Sequence, residues 1–326
     1  MSLVRANGRA CSLESREAVK PGREAGVTHT MREYTVTKND AGRRADRFLA
    51  KAAPDLPASA IQKAFRKKDV KRNGKPCRAD ERLAEGDAVR LYAQPASVVA
   101  GPGRRDAPAL PPGCIVHEDS RLIVLRKPPG IPSQTDNGEP GIEDMARTYL
   151  EQSGEWSPER ENGFRPSLCH RLDRGTEGLL LFAKTAEALR TLTEMIRNRE
   201  VVKTYRCVVE GIPKPPEGEW HDFLWKDAKQ KRVYARKTPS PGAKPALSRY
   251  KTLRSAGGKS LLEIELVTGR THQIRVQCAS RGHPVAGDGK YGKGRAGEAL
   301  ALCAVRIELR AGGETFQIDK KFAEFD

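Results

Sequence analysis

Polar and apolar positions sort into strands and short helices from residue 32 onward. "REYTVTK" alternates with a period of two, as a half-buried strand does. "RADRFLAKAA" sets Ala45, Phe48, Leu49 and Ala52 on one helical face, and "PASAIQKAFRKKD" predicts a second short helix. "VKRNGKPC" carries a hairpin signal at Asn73 and Gly74, and "RLAEGDAVRLYA" a turn and then a strand. Further on, "CIVHEDSRLIVLRKPPG" predicts a strand pair that "KPPG" ends sharply. Helices are expected at "GIEDMARTYLEQSG" and at "TAEALRTLTEMIRNRE", the latter opened by Thr185 as N-cap. A third, "THQIRVQCASRG", is expected to run from a Thr271 cap to a Gly282 stop. "GLLLFAK", "KTYRCVVEG", "LSRYKTLRS", "SLLEIELVTG", "LALCAVRIELR" and "ETFQIDK" read as strands. Strands outnumber helices and several alternate. The expected fold class is therefore α+β: a mixed, mainly antiparallel sheet with flanking helices, preceded by a small α/β unit.

The same pattern divides the chain. Residues 1–31 are polar without periodicity and are expected to be disordered, or to precede a translation start at Met31, where strand patterning begins. Residues 32–94 form a first domain and residues 114–326 a second. Between them, 95–113 is a linker rich in Pro, Gly and Ala.

Charge narrows the partners. The 326 residues carry a net charge of +17, with a pI near 9.7, which points to a polyanion and above all to nucleic acid. No apolar stretch approaches the roughly 20 residues a membrane span needs, and no signal core opens the chain, so a cytoplasmic protein without a membrane partner is expected. The seven cysteines are scattered without paired spacing, which suggests reduced core thiols and no metal. In the first domain Lys63, Arg66, Lys67, Lys68, Lys71, Arg72 and Lys75 surround a single acid, Asp69, so phosphate contact is expected there. From Lys226 to Lys244, seven Lys or Arg stand against one acid, Asp227. A loop that orders on RNA is the favoured reading and a disordered surface loop the alternative.

Three stretches are candidates for chemistry. In "HRLDRGTEGLLLFAK", Asp173 sits between Arg171 and Arg174 ahead of an apolar strand. Flanking arginines keep a carboxylate ionised, the form needed for attack, although a structural ion pair in a turn would look the same. "VTGRTHQIRVQ" packs Arg270, His272 and Arg275 around a helix start, which suits phosphate or simply a capped basic helix. In "KTYRC", Lys203 and Tyr205 share a strand face, toward either core or site.

Taken in order, these stretches resemble the pseudouridine synthases of the RluA, RluC and RluD type. That family's His-Arg-Leu-Asp-x-x-Thr-Ser-Gly segment is matched by His170, Arg171, Leu172, Asp173, Thr176 and Gly178. Its Lys-x-Tyr is matched by Lys203 and Tyr205, and its Gly-Arg-Thr-His-Gln-Ile-Arg by Gly269 to Arg275. Gly282-His283-Pro284, Gly287-Asp288, Tyr291-Gly292 and the earlier Lys127 to Gly130 also fit. The agreement spans residues 115–310, and residues 32–94 look like the S4-type RNA-binding domain of the RluC and RluD branches. One departure is Glu177, where the family has Ser; it is expected either to raise the pKa of Asp173 or to pair with a local arginine.

The resemblance implies an isomerase that converts uridine to pseudouridine in RNA, most simply large-subunit ribosomal RNA with transfer RNA as the alternative, without cofactor or metal; a monomer is the default expectation, which no residue pattern decides. It implies that Asp173 starts the reaction, that Tyr205 stacks on the flipped uracil, and that Arg275 pairs with Asp173. His170, Arg171, Lys203, Arg270 and His272, with the first-domain residues Lys63, Lys67, Lys68, Lys71, Arg72 and Lys75, are implied as RNA contacts. A non-catalytic RNA-binding protein and a base-excising glycosidase are the rival readings; the second would need another placed carboxylate, for which only Glu177 is near.

Overall fold

The computed structural model describes residues 30–93, 107–158, 161–295, 297–323 and 325. The N-terminal extension, apart from Thr30 and Met31, and most of the linker lie outside the described residues. The chain divides into two compact units. The first takes the chain up to Val36 and again from Gly42; the second takes Thr37–Ala41 and everything from Pro102.

The first unit contains β1 (Thr30–Thr35), α1 (Ala45–Ala52), α2 (Ala58–Arg66), β2 (Val70–Arg72), β3 (Lys75–Pro76) and β4 (Ala88–Ala93). The strands form an antiparallel sheet in the order β1-β4-β2-β3. Phe48 and Leu49 of α1 and Ile61 and Phe65 of α2 pack with Val70, Val89 and Leu91 beneath them. The expected hairpin forms at Asn73 and Gly74, both with positive φ, as a two-residue turn between twisted strands requires.

The second unit begins with β5 (Ile115–Glu118), β6 (Leu122–Lys127), α3 (Ile142–Gln152), β7 (Ser167–Leu168), β8 (Glu177–Ala183) and α4 (Ala186–Arg197). It continues with β9 (Val201–Glu210), β10 (Glu217–Asp227), β11 (Arg232–Arg236), β12 (Lys244–Ala256) and β13 (Lys259–Leu266), and ends with α5 (Gln273–Ala279), β14 (Leu302–Leu309) and β15 (Glu314–Gln317). Among the described residues its strands join one eleven-stranded sheet whose main path is β11-β10-β12-β13-β9-β14-β8-β6-β5, with β15 on β14 and β7 on β8. The Thr185 hydroxyl caps α4 by accepting the Ala188 N–H at 3.1 Å.

Strands β5 to β8 lie on one side of this sheet and β9 to β15 on the other. They meet where β8 runs parallel to β14, while the remaining named pairings of the sheet are antiparallel. Gly178 makes that meeting possible. A Cβ there would stand 2.3 Å from the Ala304 carbonyl oxygen, and the backbone has φ +126°. No side chain fits between the strands at that point.

Two expectations are corrected. Residues 226–244 are not an open loop: β10 and β11 pair from Phe223 to Asp227, and Leu224, Val233 and Ala246 pack with Val276. Apolar residues on the inner face of the hairpin supply the order that the charge run concealed. The third helix begins at Gln273 and not after a Thr271 cap, because His272 takes a left-handed conformation, φ 54°. Cys77, Cys114, Cys207, Cys278 and Cys303 are buried free thiols and Cys169 is half-buried; Cys11 lies outside the described residues. No helix among the described residues is long and apolar enough to cross a membrane.

Candidate active site

Asp173 sits in the turn between β7 and β8, and its neighbours hold that turn in place. The Ser133 hydroxyl donates to the Leu172 carbonyl at 2.7 Å and accepts the Leu172 N–H at 2.9 Å. The Thr176 N–H closes the turn on the Asp173 carbonyl at 3.0 Å. Lys127 is fully buried and donates to the carbonyls of Pro128, Ile131 and Arg174 at 2.8, 2.8 and 3.0 Å. Burial lowers its pKa to about 8, against the pull of the Asp173 charge. Backbone on both sides of Asp173 is thus satisfied by buried side chains, and its carboxylate faces the cleft.

From the other side comes α5. Gln273 and Gln277, one turn apart, fix its buried face. Gln273 Nε2 donates to the Leu247 carbonyl at 3.0 Å and to Ser248 Oγ at 2.9 Å. Gln277 accepts from Ser248 Oγ at 2.7 Å and donates to Asp222 Oδ2 at 2.8 Å. With these contacts made, His272 and Arg275 point toward Asp173: Arg275 Nη1 is 3.5 Å and His272 Nε2 3.8 Å from Asp173 Oδ2.

Arg275 meets Asp173 as expected, and it has a second, tighter partner that was not expected. Its two-pronged bond is to Asp288, from Nε at 2.7 Å and from Nη2 at 2.8 Å, and Asp173 takes only the looser third position. Asp288 is 1% exposed and also accepts the N–H groups of Lys290 and Tyr291 at 2.9 and 3.0 Å. Burial opposes the charge of both groups. The bonds between them prevail, so Asp288 is held below the usual carboxylate range and Arg275 above its own. Asp288 is therefore the acid that holds the Arg275 guanidinium. Its motif is visible in the sequence, but the sequence does not show that it closes on Arg275.

The cleft between these elements has a volume of about 580 Å³ and is lined by Asp173, Tyr205, Lys203, Arg171, Arg270 and His272, among others. That size admits a nucleotide. Tyr205, on β9 opposite Ala304 and Ile264, is 6% exposed, and burial together with the Asp173 charge keeps its phenol protonated. Lys203 lies on the same strand face, with its pKa lowered by burial. Arg171 is exposed at the rim. The Arg270 guanidinium donates to the Pro245 carbonyl at 3.0 Å. Arg197 and Arg199 also line the cleft. The sequence reading passed over them, although a basic last turn before a strand was the available signal.

Other predicted residues have different duties. His170 Nε2 accepts the Leu181 N–H at 3.2 Å, and burial, with help from Lys203, pushes its pKa down to about 3. It braces β8 as a neutral imidazole and also lines the cleft. Arg72 is tied to Asp87 at 2.7 Å and Glu81 at 3.1 Å, whereas Lys63, Lys67, Lys68 and Lys75 are exposed. Lys71 is half-buried and lies over the Tyr92 ring at 5.2 Å. Glu177 takes the second of its two expected roles: it binds Arg126 and Lys320, each at 2.6 Å, and those bonds outweigh burial and lower its pKa. Arg174 pairs with Asp136 at 3.2 Å and Glu139 at 2.6 Å.

A carboxylate, a buried phenol and a paired arginine around a nucleotide-sized basic cleft suit chemistry on a base within a polyanion. The family model for RNA pseudouridylate synthase matches residues 121–280. The ribosomal large subunit pseudouridine synthase C of Yersinia pestis is 33% identical over 87% of this chain and 90% of its own length. The ribosomal large subunit pseudouridine synthase D of Neisseria meningitidis is 32% identical over 83% of this chain and 69% of its own. Among solved structures, human RNA pseudouridylate synthase domain containing 4 shares the fold, with a TM-score of 0.52 at 23% identity, over 64% of this chain and 88% of that one. With the site assembled from the same segments that carry the sequence match, the chain belongs to the RNA pseudouridylate synthase family.

Proposed function

We propose that the protein isomerises uridine to pseudouridine in large-subunit ribosomal RNA, with Asp173 as the carboxylate that starts the reaction. The observation that carries this is Asp173 facing a basic cleft between Arg275 and His272, beside the buried Tyr205. The reaction breaks the C1′–N1 bond, turns the uracil and forms C1′–C5; the C5 proton is lost and N1 gains one, so atoms balance without a redox partner. The uridine leaves the stack to enter the cleft, at a cost of a few kcal/mol. Tyr205 stacks on the flipped base, worth about 1–3 kcal/mol. Arg275, held by Asp288, keeps the Asp173 carboxylate placed. Arg171 fills the vacated stack or grips phosphate, while Lys203, Arg270 and His272 line the path of the backbone.

The ribosomal assignment is supported by the names of the relatives. On this reading residues 32–94 are an S4-like RNA-binding domain, 95–113 a linker and 114–326 the catalytic domain, and the enzyme acts as a cytoplasmic monomer. The exposed Lys63, Lys67, Lys68 and Lys75 support the RNA-binding part. Asp173→Asn should abolish pseudouridine formation and leave RNA binding nearly intact, while appreciable turnover by that variant refutes the assignment. Mapping pseudouridine in a deletion strain tests the substrate: sites lost from transfer RNA alone would overturn the ribosomal reading.

A further inference from the structure

The Tyr291 phenol stands between the β10–β11 hairpin and the carboxylate at the cleft. Its oxygen is 3.1 Å from the Val233 backbone nitrogen on β11 and 2.7 Å from His272 Nδ1. Its ring lies between two arginines, 5.2 Å from the Arg275 guanidinium and 5.1 Å from that of Arg232. Beyond the imidazole, His272 Nε2 faces Asp173 Oδ2 at 3.8 Å.

The hydrogen bookkeeping of this chain allows one consistent arrangement. A backbone N–H can only donate, so the phenol oxygen accepts from Val233. Its own proton needs an acceptor, and His272 Nδ1 stands at hydrogen-bond distance. The imidazole is neutral, because burial lowers its pKa more than Asp173 restores it. With Nδ1 accepting, its single proton is on Nε2 and faces Asp173. In the other tautomer both lone pairs of the phenol oxygen would accept N–H groups, its own proton would lose His272 as acceptor, and a ring lone pair would face a carboxylate. At 3.8 Å the Nε2–H to Asp173 contact is charge facing dipole and not a hydrogen bond. His272 is also held at φ 54°, a conformation that non-glycine residues keep only where their surroundings impose it.

Resting on Asp173 as the reacting carboxylate, we propose that Tyr291 is a positioning residue for the isomerisation. Its hydroxyl fixes His272 as the Nε2–H tautomer, gives Asp173 a second donor-side neighbour beside Arg275, and ties that arrangement to the seat of the basic hairpin.

The test combines nitrogen NMR with kinetics on the full chain. In the wild type, ¹⁵N-histidine spectra should show His272 Nε2 protonated and Nδ1 bare. Tyr291→Phe keeps the ring and both arginine contacts but removes the hydroxyl; it should mix the tautomers and lower kcat roughly tenfold with KM for RNA unchanged. In a His272→Ala background the same substitution should cost nothing further. A wild-type proton on Nδ1 overturns the proposal, as does an unchanged His272 spectrum in Tyr291→Phe or a full loss retained without the imidazole. The spectra do not depend on turnover, so failure of the Asp173 assignment would show separately as activity in Asp173→Asn.

Discussion

Asp288→Asn removes half of the grip on Arg275 with almost no change of shape. The carboxylate accepts four donors, two from Arg275 and one each from the Lys290 and Tyr291 backbone. An amide keeps one accepting oxygen and turns a donor toward the rest. Breaking a buried ion pair from one side costs about 3–5 kcal/mol. Arg275 retains Asp173 at 3.5 Å, so the low end applies. For a unit of this size about 3 kcal/mol lowers Tm by roughly 6–12 °C. Arg275, released, closes on Asp173 and both blunts and misplaces it; a displacement near 1 Å is worth about 100-fold in turnover. Calorimetry with a pseudouridine-formation assay reads both effects. The acidic limb gives a further check. Because Asp288 is held below its unfolded range, its contribution is full above about pH 4 and fades as pH falls through the folded value, so wild type and variant should converge in stability there. A Tm within about 2 °C of wild type at pH 7, with normal turnover, would refute the reasoning.

Glu177→Ser, which restores the residue usual in the family, should cost about 1 kcal/mol, because the Arg126 and Lys320 pairs are partly exposed, and should leave kcat within about twofold; a tenfold change would mean that this acid reaches Asp173 after all. Deleting residues 1–94 should lower the salt slope of RNA binding by roughly 3–4, about 0.9 for each of Lys63, Lys67, Lys68 and Lys75 placed on a phosphate. An unchanged slope would remove the first domain from the RNA grip.

Much of this was legible because periodicity reports burial. The β8 run and the α1 and α2 faces are apolar where the sheet needs them, and Asn73-Gly74 specifies its turn by the positive φ that both residues adopt. What stayed hidden depends on partners distant in sequence. Arg275 and Asp288 close on each other only because the chain after α5 folds back, and Arg72 meets Asp87 only because the chain returns before β4. The basic hairpin was misread because its charges are exposed and its few apolar residues, Leu224 and Val233, are outnumbered in the sequence. His170 stood in the sequence only as an implied RNA contact; that its ring also accepts the Leu181 N–H and is neutral depends on β8 folding over it.

The parallel meeting of β8 and β14 also determines when the enzyme becomes an enzyme. Asp173 belongs to the strands that precede this contact, while Tyr205, His272 and Arg275 belong to those that follow. Glu177 and Gly178 find Cys303 and Ala304 only after nearly the whole catalytic unit has been synthesised. Such distant pairings form late in folding, after local hairpins. Neither half holds the full set of groups, so a nascent or half-folded chain is chemically inert toward RNA even where its basic surface already binds. Refolding should therefore restore RNA affinity before it restores turnover.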